Sequence, residues 1–349
     1  MNLTSMVNII FQTTTNYQNM KRKSFIRFAS MAGIGISLLG TYACKETKKE
    51  KVENAEIVME ESTKAPFFKL SLAQWSMHKM IREDGVDPYS FAEKAKNWGF
   101  TGLEYVSQLY NPELEDAGYS EEAMANFVAK SNAEAEKHGM KNVLIMIDGQ
   151  GNLAVDDEAE RNETVEKHKK WVDAAAAMGC HAIRVNLNGS NVPEQWIKNS
   201  VDGLTKLATY AKTKGINILV ENHGGLSSNG ELHAQVMKTV NMDNCGSLPD
   251  FGNFCIERKP DSRDCLTEYD KYKGVKELMP YAKAVSAKSN NFDADGYDTG
   301  IDYVKMLNIV NNAGYDGFIG VEYEGSEISE ADGIIATRDL LLKAAKEIE

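Results

Sequence analysis

From Phe67 onward, short apolar runs alternate eight times with longer stretches of helical period. The runs are FKLSLAQW (68–75), TGLEYV (101–106), NVLIMID (142–148), AIRVNL (182–187), NILVEN (217–222), GSLPDF (246–251), AKAVSAKS (282–289) and GFIGVEY (317–323). Each has strand length, is apolar-rich and is flanked by turn residues, which predicts a strand. The stretches 88–97, 121–138, 157–178, 192–214, 230–240, 264–279, 301–313 and 327–348 are predicted helices. In 157–178, Val165, Trp171, Val172 and Ala175 share one stripe of a 3.6-residue period.

The joints NWGFTGLE, KHGMKNVL, AMGCHAIR, TKGINILV and NAGYDGFIG each put a glycine after the last helical turn. A left-handed cap there ends a helix and returns the chain to a strand. Strict β–α alternation predicts a parallel sheet. No GxGxxG follows the first run, which argues against a dinucleotide-binding open sheet. The expectation is α/β: a (β/α)8 TIM barrel forming one domain over 65–349.

Upstream, the pattern changes. From Met20, a basic segment (Lys21, Arg22, Lys23, Arg27) precedes a short, Gly-interrupted apolar stretch that ends in small residues before Cys44. This is the anatomy of an export signal, too short and weakly apolar for a membrane span. Arg22-Lys23-Ser24-Phe25-Ile26 resembles a relaxed twin-arginine signal, and Thr41-Tyr42-Ala43-Cys44 a loose lipobox with Cys44 as the lipidated residue. Residues 1–44 are therefore expected to be an upstream extension plus signal peptide starting at Met20. Residues 45–64, eleven of them charged and five apolar, are expected to be a flexible linker.

Composition narrows the partners. A net charge of −12 argues against a polyanion such as DNA. There are six histidines and five cysteines, with no CxxC and no zinc-finger spacing. Cys245, Cys255 and Cys265 read as small buried hydrophobes rather than a disulfide or metal site.

The chemistry should collect at the C-terminal strand ends, which share one mouth. In chain order these hold Gln74 and His78, Glu104, Asp148, Arg184 with Asn186, Glu221 with His223, Asp250 with Asn253, Lys288, and Glu322 with Glu324. Glu221, Asp250 and Glu322 each close an apolar run. Gathered together they would repel unless a divalent cation or shared protons neutralised them. They are candidate metal ligands, with His223 as a fourth. Glu221, Glu322 and Lys288 are candidate catalytic groups. Arg184, Asn186, His78, Glu104 and Asn253 are candidate substrate contacts. Glu324 reads as rim, and Trp75 as core.

The span 66–349 resembles the sugar phosphate isomerase/epimerase family, the xylose isomerase-like TIM barrels. The resemblance rests on SLAQWS, GFTGLEYV, LVENHGG, PDFGNF, VSAKS…FDADG and GFIGVEYEG. Its secreted members from Gram-negative bacteria look most similar. The family pattern implies a metal held by Glu on the fifth strand, Asp on the sixth, His on the seventh and Glu on the eighth. Glu221, Asp250 and Glu322 match three of these. Ser286 stands at the His position, so His223 or Asn253 takes the fourth place, or the metal is held weakly or is absent.

The resemblance implies a divalent ion (Mn, Mg, Co or Zn) and a sugar isomerase or epimerase that abstracts a proton beside a carbonyl. A 3-keto-glycoside lyase is the alternative, followed by a non-catalytic sugar-binding lipoprotein. A metal-dependent apurinic endonuclease is disfavoured by charge. The expected partner is a small sugar or glycoside, with no nucleic acid and with membrane contact only through the lipid or signal. The expected location is the periplasm or outer membrane of a Gram-negative bacterium.

Overall fold

The computed structural model describes residues 65–262 and 264–348. The predicted signal, Cys44 and the linker lie outside the described residues. Eight parallel strands form one curled sheet: β1 Lys69–Ala73, β2 Gly102–Val106, β3 Lys141–Met146, β4 Ala182–Val185, β5 Asn217–Glu221, β6 Cys245–Leu248, β9 Val285–Ser289 and β10 Phe318–Tyr323. Their order is β6-β5-β4-β3-β2-β1-β10-β9. The ring closes between β6 and β9 through parallel bridges, Ser247 to Ala282 and Asp250 to Ser286. At this seam the Lys283 amide donates to the Ser247 carbonyl at 3.1 Å, and the Phe251 amide to the Ser286 carbonyl at 3.1 Å. The predicted TIM barrel is thus the observed fold.

Helices α1 His78–Arg82, α2 Phe91–Asn97, α3 Asn111–Asp116, α4 Glu121–Lys137, α5 Glu158–Ala177, α6 Pro193–Lys212, α7 Gly230–Val240, α8 Lys271–Leu278, α9 Tyr303–Asn312 and α10 Glu330–Lys346 alternate with the strands. The five joint glycines all adopt positive φ, from 63° to 86°, as the caps require. The strands are buried on both faces, with Leu72, Leu103, Ile145, Val220 and Val321 at 0% exposure. Among the described residues no helix is long and apolar enough to cross a membrane.

Two expectations need correction. The predicted helix 264–279 begins at Lys271, where Asp270 accepts the Lys273 amide as an N-cap. Cys265–Glu268 is instead strand β8, antiparallel to β7 at Cys255–Arg258. The cysteine reading fails at the same place. Cys255 and Cys265 form a disulfide, their Cα atoms 5.6 Å apart, while Cys180 and Cys245 are free. A spacing of ten says nothing about pairing until a hairpin folds the two together. Helices α1 and α3 were not predicted because they are single short turns within loops, without a sustained period.

Candidate active site

Three strands deliver the acids. Glu221 is the last residue of β5, Asp250 follows β6 by two residues, and Glu322 is the penultimate residue of β10. One carboxylate oxygen from each lies within 4.8 Å of the others. Glu221 and Asp250 are 0% exposed and Glu322 is 3% exposed. Oxygens coordinated at about 2.0–2.6 Å on opposite sides of an ion are separated by roughly 4–5 Å. The donor set therefore fits a hard divalent cation.

Each acid is held by a neighbour. Asp250 Oδ1 accepts the Gly252 and Asn253 amides at 2.9 and 2.7 Å, and its Oδ2 accepts the Ser286 hydroxyl at 2.7 Å. The Asn253 amide group donates to Glu221 Oε1 at 3.0 Å. Asn222 braces this corner, donating to the Asp250 and Asn253 carbonyls and accepting the Asp250 amide. Two cations complete the floor. Arg184 Nε lies 2.8 Å from Glu221 Oε2, and Lys288 Nζ lies 3.0 Å from Glu322 Oε1 and 3.3 Å from Glu324 Oε1.

Burial dominates the proton affinities. It pushes the Glu221 carboxyl up to about 7, with Arg184 opposing and Glu322 adding to the rise. Asp250 is also pushed up to about 7 by burial, against Lys288 and with the help of Glu221 and Glu322. Burial alone would lower Lys288, but Glu322, Asp250, Glu324 and Glu221 outweigh it and hold the ammonium well above its ordinary value. Asp148 shows the converse. Burial raises it, yet the Arg184 charge and hydrogen bonds from Arg184 and Asn186 hold it below the usual carboxylate range.

A cavity of about 400 Å³ opens above this floor. Asp148, Arg184, Lys288, Glu322 and Glu324 line it, and Trp75, His223, Asn253, Cys255 and Arg258 also belong to the lining. That volume suits a small polar ligand.

The predicted residues separate into groups. Glu221, Asp250, Glu322, Lys288, Arg184 and Asn253 meet at the floor. His223 lies outside the acid group and lines the wall. Asn186 donates to Asp148 Oδ1 at 2.8 Å, and Asp148 also accepts from Arg184 Nη1 at 2.9 Å.

Two expectations change. His78 is not on the cavity. The turn at 74–82 folds its ring back onto Trp75, with centroids 4.5 Å apart and Nδ1 2.7 Å from the Trp75 carbonyl. Glu104 does not line the cavity either: it is 0% exposed inside the barrel, accepting the Ser71 hydroxyl at 2.5 Å, while Oε2 has no partner. The bare Gly320 makes room for it, since a Cβ there would lie 2.4 Å from Glu104 Oε2. Burial pushes this carboxyl up to about 8, with Ser71 opposing and the Glu322 and Glu221 charges adding to the rise.

Sequence reasoning missed Trp75, whose indole lines the cavity and donates to Glu324 Oε1 at 2.5 Å. Its place at the end of the first apolar run was the available signal. Gln108, Cys255 and Arg258 also line the cavity, and no pattern announced them.

Comparison with known proteins agrees with this fold. A family model described as xylose isomerase-like TIM barrel matches residues 92–344. None of the curated proteins compared with the chain matches it. Several solved structures share the fold. One is a xylose isomerase-like TIM barrel protein from Mycobacterium smegmatis in complex with magnesium, 16% identical, covering 80% of this chain and 97% of its own, with TM-score 0.57. Another is the IOLI protein with a binding zinc atom, 17% identical, covering 81% and 99%, with TM-score 0.58. A third is 3-keto-D-glucoside 4-epimerase, YcjR, from E. coli in its apo form, 14% identical, covering 79% and 99%, with TM-score 0.57. At such identities the likeness concerns the fold. With the family model spanning most of the barrel, the chain belongs to the xylose isomerase-like TIM barrel family.

Proposed function

We propose that this protein is a metal-dependent sugar isomerase or epimerase that moves a proton at a carbon beside a carbonyl. The observation that carries this reading is the convergence of Glu221, Asp250 and Glu322 on one buried point, from which Glu322 reaches the lining of the cavity. The three carboxylates would hold a divalent cation, which when bound supplies Lewis-acid polarisation of a carbonyl and its neighbouring hydroxyl. Each carboxylate has two oxygens, so holding an ion and exchanging a proton use separate lone pairs. Glu221 and Glu322 are the proton carriers, one removing and one returning. Lys288, kept protonated by its acidic neighbours, places a positive charge beside the developing oxyanion. Arg184 and Asp148 line the floor as hydrogen-bonding groups for substrate hydroxyls, and Asn253 keeps Glu221 oriented.

The substrate is a small sugar or keto-sugar. A solved relative in fold named as a 3-keto-D-glucoside epimerase supports keto-glycosides as the first set to try. Incubating the Mn²⁺-loaded protein in deuterium oxide with ketoses and 3-keto-glycosides tests the reading. Deuterium uptake at the carbon beside the carbonyl supports it. Release of the aglycone would assign the lyase reaction instead, and neither outcome with any substrate leaves a sugar-binding role.

Export to an oxidising compartment, with Cys44 as a lipid anchor, is part of the same proposal. The Met20–Cys44 pattern and the Cys255–Cys265 disulfide both support it.

A further inference from the structure

The three carboxylates close on one point without a nitrogen or sulfur donor. Among the described residues, Glu221, Asp250 and Glu322 are the only His, Cys, Asp or Glu side chains that converge as such a group. His223 stands outside it on the cavity wall. Cys255, also on that wall, is tied in a disulfide and offers no thiolate. The side chain that faces the gap between two of the acids is Ser286. It is 1% exposed, its Oγ donates to Asp250 Oδ2 at 2.7 Å, and the same atom lies 3.5 Å from Glu322 Oε2. Ser286 is two residues before Lys288 on β9, so both side chains project to the same face of the strand. Position 286 therefore looks onto the proposed ion and contributes a hydroxyl.

Donor chemistry then discriminates between metals. Carboxylate, carbonyl and hydroxyl oxygens suit Mg²⁺ and Mn²⁺, whereas imidazole nitrogen and thiolate sulfur add selectively to Zn²⁺, Cu²⁺ and Ni²⁺. We infer that this is an oxygen-only centre for a hard dication, Mg²⁺ or Mn²⁺, and that Ser286 is its specificity-determining residue because it withholds a nitrogen donor. The inference rests on the metal-binding reading proposed above.

Calorimetric titration of the purified full chain with Mg²⁺, Mn²⁺ and Zn²⁺, together with displacement of Mn²⁺ followed by electron paramagnetic resonance, tests it without an activity assay. Wild type is expected to bind one Mn²⁺ and to prefer Zn²⁺ over Mn²⁺ by less than about tenfold. Ser286→His is expected to tighten Zn²⁺ by about tenfold or more while leaving Mn²⁺ within about threefold. A larger Zn²⁺ preference in wild type, or an unchanged Zn²⁺/Mn²⁺ ratio in a folded Ser286→His, overturns the inference and leaves the metal site standing. If circular dichroism shows the variant unfolded, the wild-type ratio alone decides. Failure of wild type to bind any of the three ions overturns the metal reading itself, and this inference with it.

Discussion

Arg184 Nε approaches Glu221 Oε2 to 2.8 Å inside the barrel, yet neither atom makes a hydrogen bond, because the N–H is not aimed at the oxygen. The attraction is Coulombic. Removing one partner of a buried pair leaves an uncompensated charge, which destabilises by about 3–5 kcal/mol. Arg184→Met should therefore lower stability by that order at pH 8.5. In the metal-free protein the loss should shrink at pH 5, where Glu221 takes up a proton and no longer needs a cation. Denaturant titrations at the two pH values check this, and an equal loss at both contradicts it.

Glu221→Gln and Glu322→Gln should each reduce turnover by about two orders of magnitude or more, since a positioned acid–base group typically contributes that much. Far-ultraviolet circular dichroism should be unchanged. A variant that turns over at the wild-type rate removes its residue from the proton-transfer scheme.

The metal-free protein should lose stability as pH rises. Burial raises Glu221 and Asp250 to about 7 and Glu104 to about 8 in the fold. Folding therefore favours their protonated forms, and that contribution is complete below the ordinary carboxylate value near 4. It is lost as pH climbs through 7 and 8. In EDTA, Tm should fall between pH 5 and 8.5. Saturating Mn²⁺ should restore most of the part due to Glu221 and Asp250, and Glu104→Gln should flatten the remainder. A metal-free Tm that rises over this interval refutes the assignment.

Gly320→Ala should destabilise by about 1–3 kcal/mol, the usual range for overpacking a filled core. Its Cβ would meet Glu104 Oε2 at 2.4 Å. Combining it with Glu104→Ala should recover part of that loss. Strict additivity in the double-mutant cycle would show that the two residues do not share the space.

How much of this was readable in advance follows from what each feature depends on. The barrel was legible because helix caps at Gly99, Gly139, Gly179, Gly215 and Gly314 and eight apolar runs are local patterns. The convergence of Glu221, Asp250 and Glu322 was legible because a strand end in a barrel has a known destination. Glu104 was misplaced because strand position gives direction but not depth. Its burial depends on a missing side chain at Gly320, more than two hundred residues away in sequence. His78 was misplaced because one tight turn decides which way its ring faces. The Cys255–Cys265 hairpin was read as helix because its two strands are short and their pairing is a tertiary fact.

Removing that crosslink should be tolerable. In the chain-entropy picture a loop of this size contributes about 2–3 kcal/mol. Cys255→Ser with Cys265→Ser should lower Tm by several degrees while the barrel stays folded. Loss of all cooperative unfolding would mean the hairpin holds more than its own wall.

The join between β6 and β9 rests on two isolated bridges, whereas the other neighbouring strands share continuous ladders. One of those bridges is Asp250 to Ser286, so the weakest line of the cylinder runs through the acid group. Breathing of the barrel should begin there, and the amides of Phe251 and Ser286 should exchange with solvent before those of β2 or β3. A guest that ties Asp250 to Glu322 would act as a stitch across this line, tightening a whole enclosure by gripping a single edge.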